Sequence, residues 1–366
     1  MLMRQPFVMR LARLHSGFGW AVVLLLAAFA LVVVPLLNQF LTPDSALYIP
    51  DWLVTLTGRF LCLALVALAL DLIWGYTGIL SLGHGAFFAL GGYVMGMHLT
   101  HNRMEAGTIP NFIQFLGRDD WPWFWVPFQS FWFTAVMVFL VPGALALVFG
   151  FFAFRSRVRG VYFAIITQAL TFASMLFFYR TETGFGGNTG LTDFRELLGF
   201  SVREADTRLV LFMLSAVAVL LSYLLCRYIV TSKLGRVLVA IRDAESRVRF
   251  TGYNPLRYKL FVWTVSAMLC GLAGALYVPQ TGVINPGEMA PANSIEMAVW
   301  VALGGRGTLV GALVGAGTVN GLKTWITAAY PDLWLFVLGG LFIAVTLFLP
   351  KGVMGLREQI TGRSKQ

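Results

Sequence analysis

Ten stretches of this 366-residue chain are apolar and almost free of charge, and they constrain its fold more than any other feature. A helix needs about 20 apolar residues to cross the hydrocarbon core of a bilayer. With 58% hydrophobic and 12% charged residues, the chain lacks the polar shell of a water-soluble globule. We therefore predict an all-α, polytopic integral membrane protein with about 8–10 transmembrane helices, some broken by glycine. The segments are residues 18–37, 60–74, 79–99, 131–153, 161–178, 209–230, 260–279, 293–304, 309–328 and 333–349.

The basic residues cluster on one predicted side of the membrane. Of 27 lysines and arginines, 18 lie at the N-terminus, at 155–159, at 227–259 and in the tail from Lys351. Lysine and arginine are enriched in cytoplasmic loops, so the net charge of +10 indicates orientation rather than nucleic acid binding. We predict a cytoplasmic N-terminus at 1–17, a transmembrane domain at 18–350 with a cytoplasmic loop at 231–259, and a cytoplasmic tail at 351–366.

The loop at 231–259, TSKLGRVLVAIRDAESRVRFTGYNPLRYK, is charged and helix-prone although it lies between two apolar runs. Ser232 can cap a helix at its start, and Gly252 followed by Pro255 can end it. Apolar residues recur at helical spacing and predict one narrow stripe between charged neighbours. The stripe consists of Val237, Ala240, Ile241 and Ala244.

Two acid-before-base pairs support the same helix, because residues four apart are neighbours on a helix surface. The pairs are Asp243 with Arg247 and Glu245 with Arg249. We interpret the loop as a docking helix for a partner protein. The alternative is an ordinary basic loop of the kind that membrane topology requires.

Glycines interrupt the apolar run between residues 60 and 99 and predict two spans that meet in a broken turn. Such glycines either allow close helix packing or mark irregular backbone beside a cavity. Asp71 and His84 lie in the same stretch. Ionisable groups at membrane depth are costly and are usually paired or functional, so both are candidates for a substrate pathway.

Polar residues on the helix at 161–178 form a second candidate group: Thr167, Gln168, Thr171 and Ser174. They can line a pathway or bond neighbouring helices to each other. The loop at 181–194, which contains Asn188, is rich in turn-forming residues. It can reach into an outer vestibule or serve as a flexible connector.

The second half of the chain repeats the theme of a short apolar piece, a glycine-rich break and a glycine-spaced helix. GGRGTLVGALVGAGTVNG matches GYTGILSLGHGAFFALGG loosely in glycine placement. Paired broken segments point to the binding site of a transporter. Asn293, Glu296 and Asn320 join the pathway candidates, and Lys323 can pair with Glu296 or extend toward the membrane surface.

Motifs for enzymatic chemistry are absent from the sequence. There is no G-x-x-x-x-G-K-S/T, H-E-x-x-H or G-x-S-x-G motif. The cysteines Cys62, Cys226 and Cys270 lie in apolar runs without paired spacing, and the four histidines form no metal motif. We therefore predict a transport protein that is not an enzyme and binds no metal or cofactor of its own.

Three motifs in order resemble a known family: GYTGILSLGHGAFFALGGY, LGRVLVAIRDAESRVRFTGYN and GGRGTLVGALVGAGTVNGLK. Across about residues 58–355 the chain is similar to the membrane permease subunits of branched-chain-amino-acid-type ABC importers. RGVYFAIITQALTFA, TGFGGNTGLTDF and NPGEMAPANSIEMAVWVALGGRGTLVGA resemble the urea-importer permease within that family. The resemblance implies ATP-driven import of urea across the bacterial inner membrane.

The resemblance also implies partners: a second permease subunit, two cytoplasmic ATPase subunits that bind ATP, and a periplasmic substrate-binding protein. It assigns contact with the ATPase to Leu234, Gly235, Arg236, Ala240, Ile241, Arg242, Asp243, Ala244 and Glu245. A branched-chain amino acid or a related amide is the alternative substrate. A different class of function is a proton-coupled transporter or channel in which Asp71, His84 and Glu296 relay protons.

Overall fold

The computed structural model describes residues 14, 17–42, 44, 45, 47–104, 108–117, 119–158, 160–348 and 352–355. Most of the two predicted cytoplasmic ends, 1–17 and 351–366, lies outside the described residues.

Helices occupy all ten predicted apolar segments, and an eleventh lies in the charged loop at 231–259. In chain order they are α1 (Gly17–Ala28, continued by a π-helical turn Phe29–Val33 and by Val34–Gln39), α2 (Asp51–Thr77), α3 (His84–Arg103), α4 (Phe131–Arg155), α5 (Val161–Tyr179), α6 (Ala205–Thr231), α7 (Lys233–Phe250), α8 (Pro255–Thr281), α9 (Pro291–Gly304), α10 (Val310–Ala329) and α11 (Trp334–Phe348). One-turn helices lie at Asn111–Gln114, Val126–Gln129, Thr181–Thr183, Pro286–Met289 and Pro331–Leu333.

Six of the helices in the described ranges are long and apolar enough to cross a membrane: α1, α2, α4, α5, α6 and α8. An α-helix bonds most of its backbone polar groups within itself, as a hydrocarbon environment requires. The prediction of an all-α polytopic membrane protein is confirmed. The expected eight to ten spans also counted α3, α9, α10 and α11. These four helices are more polar or shorter than the six candidate spans.

Helix α8 lies at the centre of the bundle and packs against α2, α3 and α4. Glycines bring α3 and α8 together, since a Cβ atom on Gly91 would overlap the backbone of Gly271, and one on Gly274 would overlap the carbonyl of Phe88. For these glycines the structure supports close helix packing, one of the two alternatives that the sequence left open.

Within the described ranges, four two-residue strands cover the end of the bundle opposite α7. β1 (Leu191–Thr192) pairs antiparallel with β4 (Val283–Ile284), with Leu191 opposite Ile284. β2 (Glu196–Leu197) pairs with β3 (Phe200–Ser201) in a hairpin. The loop between α5 and α6 is therefore tied to the connection that follows α8, and it is not a free connector.

Candidate functional site

Helix α7 begins and ends where the sequence predicts. The Oγ atom of Ser232 accepts hydrogen bonds from the backbone N–H groups of Leu234 at 3.1 Å and Gly235 at 3.4 Å. These bonds satisfy donors that the first turn of a helix leaves free. At the other end the chain turns through Gly252 with φ of 84°, and Asn254 caps α8.

The predicted apolar stripe does not lie on one surface of α7, so this part of the prediction is wrong. Ile241 is 3% exposed, and Leu238 is fully buried in the hydrophobic core of the bundle. Ala240 is exposed, Val237 is half-buried, and Ala244 leaves helical geometry with φ of −155° and ψ of 71°. The helix uses its strongest apolar residues to attach itself to its own bundle, and the kink at Ala244 separates its two halves.

The surface that α7 leaves exposed is mostly charged. Arg236, Ala240 and Asp243 are exposed and follow one another at intervals of three or four residues before the kink, and Arg247 is exposed after it. These four residues define the docking face of α7. A partner approaching α7 would therefore meet two arginines and one aspartate around a small apolar residue.

Ion pairs hold the second half of α7 in place. The predicted pair of Glu245 with Arg249 is confirmed at 2.7 Å, and Glu245 also binds the Nζ atom of Lys259 in α8 at 2.8 Å. Asp243 pairs with the adjacent Arg242 at 2.9 Å instead of with Arg247. The kink at Ala244 lies between these residues and interrupts the regular four-residue spacing.

Arg242 connects α7 to the end of α2. Its Nη1 atom donates a hydrogen bond to the carbonyl oxygen of Gly75 at 2.9 Å. Its aliphatic part lies against Gly78, where a Cβ atom would come within 2.9 Å of Arg242 Cγ. Gly78 also has φ of 72°, a conformation that favours glycine. Movement of α7 would therefore act directly on α2.

Asp71, one turn before Gly75, holds the break between α9 and α10. Its Oδ1 accepts from the N–H of Gly307 at 2.6 Å and its Oδ2 from that of Leu309 at 2.9 Å. Tyr76 donates its hydroxyl to the carbonyl of Gly307 at 2.8 Å. Asp71 does not pair with His84, and its carboxylate satisfies backbone donors that a broken helix would leave free.

His84 is bonded inside the core at the start of α3. Its Nε2 lies 2.8 Å from Ser266 Oγ, and its Nδ1 lies 3.1 Å from Ser81 Oγ. Since Ser266 donates to the carbonyl of Ala69, its Oγ atom accepts from Nε2–H of His84. Both ring nitrogens of His84 therefore have a serine partner within the core.

The polar residues of α5 bond the break between α2 and α3. Thr167 accepts from the N–H of Leu82 at 3.0 Å, and Thr171 donates to the carbonyl of Leu82 at 3.2 Å. Gln168 is half-buried and Ser174 donates to the carbonyl of Leu170 within α5. The two threonines thus take the place of the helical partners that Leu82 lacks.

The start of α3 contacts the segment before α9. The N–H of Gly85 donates to Ser294 Oγ at 3.3 Å, and Asn293 donates to the carbonyl of Gly287 at 2.9 Å. Glu288 lies in this segment, and burial raises the pKa of its carboxyl, while Lys323 acts in the opposite direction. Ser294 and Glu288 were not among the sequence candidates, because their role depends on helices that meet only in the folded chain.

The remaining candidates lie apart from one another. Glu296 pairs with Lys323 at 2.8 Å, which confirms the predicted partner, and Asn320 donates to a carbonyl of its own helix. Asn188 is exposed in the loop after α5. Three cavities in the described part of the chain are lined by none of the eight pathway candidates, whose role stays a prediction.

The largest of these cavities, about 570 Å³, lies at the end of the bundle opposite α7. It opens between the starts of α2 and α6 and the end of α8, and arginines, Asp193 and apolar side chains line it. Two smaller cavities of about 330 and 280 Å³ lie beside α7.

Comparison with known proteins identifies one family. Residues 52–346 match the family described as branched-chain amino acid transport system / permease component. The high-affinity branched-chain amino acid transport system permease protein LivM of Salmonella typhimurium is 25% identical over 82% of this chain and 70% of its own length. LivM of Escherichia coli K12 is 25% identical over 79% of this chain and 67% of its own length.

A second permease protein of the same transport system also matches. LivH of Escherichia coli K12 is 24% identical over 81% of this chain and 92% of its own length. No solved structure matches the chain significantly.

Proposed function

The chain belongs to the branched-chain amino acid transport system permease family, and from this premise we propose that it is the membrane-spanning permease subunit of an ATP-driven importer. The observation that carries the proposal is α7, a capped helix that stands at one end of the bundle with a charged docking face. An ATPase subunit bound to that face would act on α2 through Arg242 and on the break between α9 and α10 through Asp71.

Branched-chain amino acids are the substrates that we propose. The names of the relatives favour them, whereas nothing in the comparisons supports urea, the substrate that the motifs suggested. The branched-chain amino acid, which the sequence analysis gave as the alternative substrate, is thus better supported than urea. Urea is therefore compared with leucine in the uptake experiment below. The family model and the relatives are described as permease components, which supports a transport subunit rather than an enzyme.

We propose the same set of partners that the family resemblance implies. LivM and LivH of one organism both match this chain, which supports a second permease subunit in the same importer. Two ATPase subunits would bind on the side of α7, and a substrate-binding protein would bind on the opposite side. This arrangement requires α7 in the cytoplasm, as the clustered basic residues predict, and places the chain in a bacterial inner membrane.

A proton-coupled transporter gains no support from the three residues that suggested it. Asp71 bonds two backbone N–H groups, His84 bonds two serines, and Glu296 pairs with Lys323. Each group has its own fixed partners, and the three do not contact one another. A relay would need them to exchange protons along a shared path.

Uptake measurements test the proposed function. Vesicles containing the complete importer, with its binding protein and ATPase subunits, are given labelled leucine or labelled urea. We expect leucine uptake that requires ATP and persists when a protonophore removes the proton gradient. Urea uptake without leucine uptake would contradict the proposed substrate. Uptake that collapses with the proton gradient and does not require the ATPases would contradict the proposed class of transporter.

The docking face is tested by Arg236→Glu and Ala240→Trp, because neither side chain supports the bundle. Arg242 is a poorer choice, since its loss would also release α2. We expect each variant to insert normally, to lose most ATP-driven uptake and to bind the ATPase weakly. Arg180→Glu, an exposed change at the opposite end, serves as the control. Normal uptake with both docking variants would refute the assignment of α7.

A further inference from the structure

The cavity of about 570 Å³ opposite α7 carries an excess of positive charge. Arg59, Arg203 and Arg208 line it together with a single acidic residue, Asp193. Asp193 already lies near three arginines, with nitrogen–oxygen distances of 3.4 Å to Arg103, 3.7 Å to Arg195 and 3.4 Å to Arg203. One carboxylate is therefore shared among several cations around the cavity.

Arg59 and Arg208 have no carboxylate partner within the described ranges. Arg59 is held in place, because its Nε and Nη2 atoms donate to the backbone carbonyl of Gln280 at 2.9 and 2.6 Å. Its Nη1 atom, and the whole guanidinium of Arg208, make no hydrogen bond to any described residue. A half-buried guanidinium without an anion is a ready site for a carboxylate or a phosphate, which it can bind through two parallel hydrogen bonds.

The other walls of the cavity are apolar. Phe194 and Val202 form buried parts of the lining, Leu56 is half-buried, and Trp52 is 65% exposed beside the opening. The volume lies in the range of about 300–1,000 Å³ that is usual for small-molecule sites. Arginines beside aliphatic and aromatic walls match a ligand with an anionic head and a short apolar body.

We propose that this cavity binds the carboxylate of an apolar α-amino acid, with Arg59 and Arg208 as the residues that contact it. The proposal rests on the proposed function and names a specificity-determining site on the entry side of the bundle. The apolar side chain of the ligand lies against Leu56, Phe194 and Val202. Urea has neither a charge nor an apolar body, so the site selects against it.

Binding measurements on the full chain in phosphatidylcholine nanodiscs test the proposal. The probes are labelled L-leucine and, as competitors, leucinol and urea. Leucinol keeps the side chain and the amine but lacks the carboxylate. We expect leucine to bind at least about tenfold more tightly than leucinol, since a charge-assisted pair of hydrogen bonds is lost. We expect no competition by urea.

Arg208→Gln is the principal variant, because Arg208 bonds no described side chain and its loss leaves the packing intact. We expect it to weaken leucine binding about tenfold and to remove the difference between leucine and leucinol, while Arg208→Lys retains part of that difference. Arg59→Gln is expected to act in the same way. Arg180→Gln, an exposed arginine paired with Glu182 outside the cavity, should leave binding unchanged.

Equal binding of leucine and leucinol, absence of leucine binding, or an unchanged Arg208→Gln variant would each overturn the proposal. Replacing part of the phosphatidylcholine by phosphatidylglycerol separates a lipid phosphate from an amino acid. The site would be assigned to lipid if leucine does not bind in phosphatidylcholine nanodiscs and the arginines retain phosphatidylglycerol tightly. Leucine uptake by the complete importer separates failure of the proposed function from failure of the cavity proposal. If uptake persists but the carboxylate has no effect on binding, only the cavity proposal fails.

Discussion

Replacing Asp71 by asparagine tests whether this carboxylate holds the break between α9 and α10 against α2. The carboxylate accepts from two backbone N–H groups, those of Gly307 and Leu309. An asparagine side chain keeps one acceptor oxygen and presents an NH₂ group to the second N–H. A hydrogen bond to a charged group contributes about 1.5–3 kcal/mol, and an unsatisfied buried donor costs about 1–3 kcal/mol.

Removal of the buried charge offsets part of this loss, because a buried carboxylate is costly to desolvate. We therefore expect Asp71→Asn to lower the local stability of the break by about 1–3 kcal/mol. Amide hydrogen exchange in nanodiscs measures this directly. A change of 1.4 kcal/mol corresponds to about tenfold in rate, so exchange at residues 305–309 should accelerate by about 5-fold to 150-fold.

A matched control lies on the same helix. Thr77→Val removes a hydrogen bond from Thr77 Oγ1 to the carbonyl of Ile73, which lies within α2 and does not reach the break. We expect its effect to remain local to α2. If Asp71→Asn leaves exchange at Gly307 and Leu309 unchanged, or if Thr77→Val accelerates it equally, the carboxylate does not hold the break.

Three further predictions concern packing, capping and charge. Gly91→Ala should lower the free energy of unfolding by about 1–3 kcal/mol, because the added Cβ atom overlaps α8. Gly321→Ala is the control and should be neutral or stabilising, because no atom lies within 4 Å of its added Cβ atom. Thermal unfolding compares the two variants. Ser232→Ala should cost about 1 kcal/mol and accelerate exchange at the start of α7, and unchanged exchange would count against the cap. Lys323→Met should destabilise the fold by up to about 3–5 kcal/mol, because it leaves the buried carboxylate of Glu296 unpaired. Glu296→Gln should destabilise it less. Chemical unfolding that shows a smaller effect for Lys323→Met than for Glu296→Gln would contradict this reasoning.

Local sequence predicted where the helices lie, although some ends differ: α2 begins at Asp51 rather than near residue 60, and α3 begins at His84 rather than near residue 79. The ten apolar segments are all helical, since in hydrocarbon each helix bonds its own backbone and needs no information from elsewhere. Ser232 caps α7 and Glu245 pairs with Arg249, because both interactions join residues within one turn of a helix. The sequence left two roles open for Lys323, and the structure shows that it pairs with Glu296.

Predictions failed or stayed open where the partner is distant along the chain. The exposed side of α7 was misjudged because Ile241 is buried beside residues far away in sequence, such as Thr77 and Phe163, and because spacing does not reveal the kink at Ala244. Asp71 and His84 were both considered pathway residues, but no periodicity indicates that one holds the break after α9 and the other bonds Ser266.

Amino-acid sequence alone determined that this chain is a helical membrane protein with a charged helix at one end, because hydrophobicity, charge and capping act over a few residues. Only the tertiary structure decided which groups serve the fold and which remain available to a ligand. Asp71 is bonded to backbone N–H groups in the break between α9 and α10, and Arg242 is bonded to a carbonyl of α2, whereas Arg59 and Arg208 line a cavity and have no carboxylate partner among the described residues. The reason is physical: a polar side chain has the same chemistry everywhere, and its role depends on whether folding brings a partner to it.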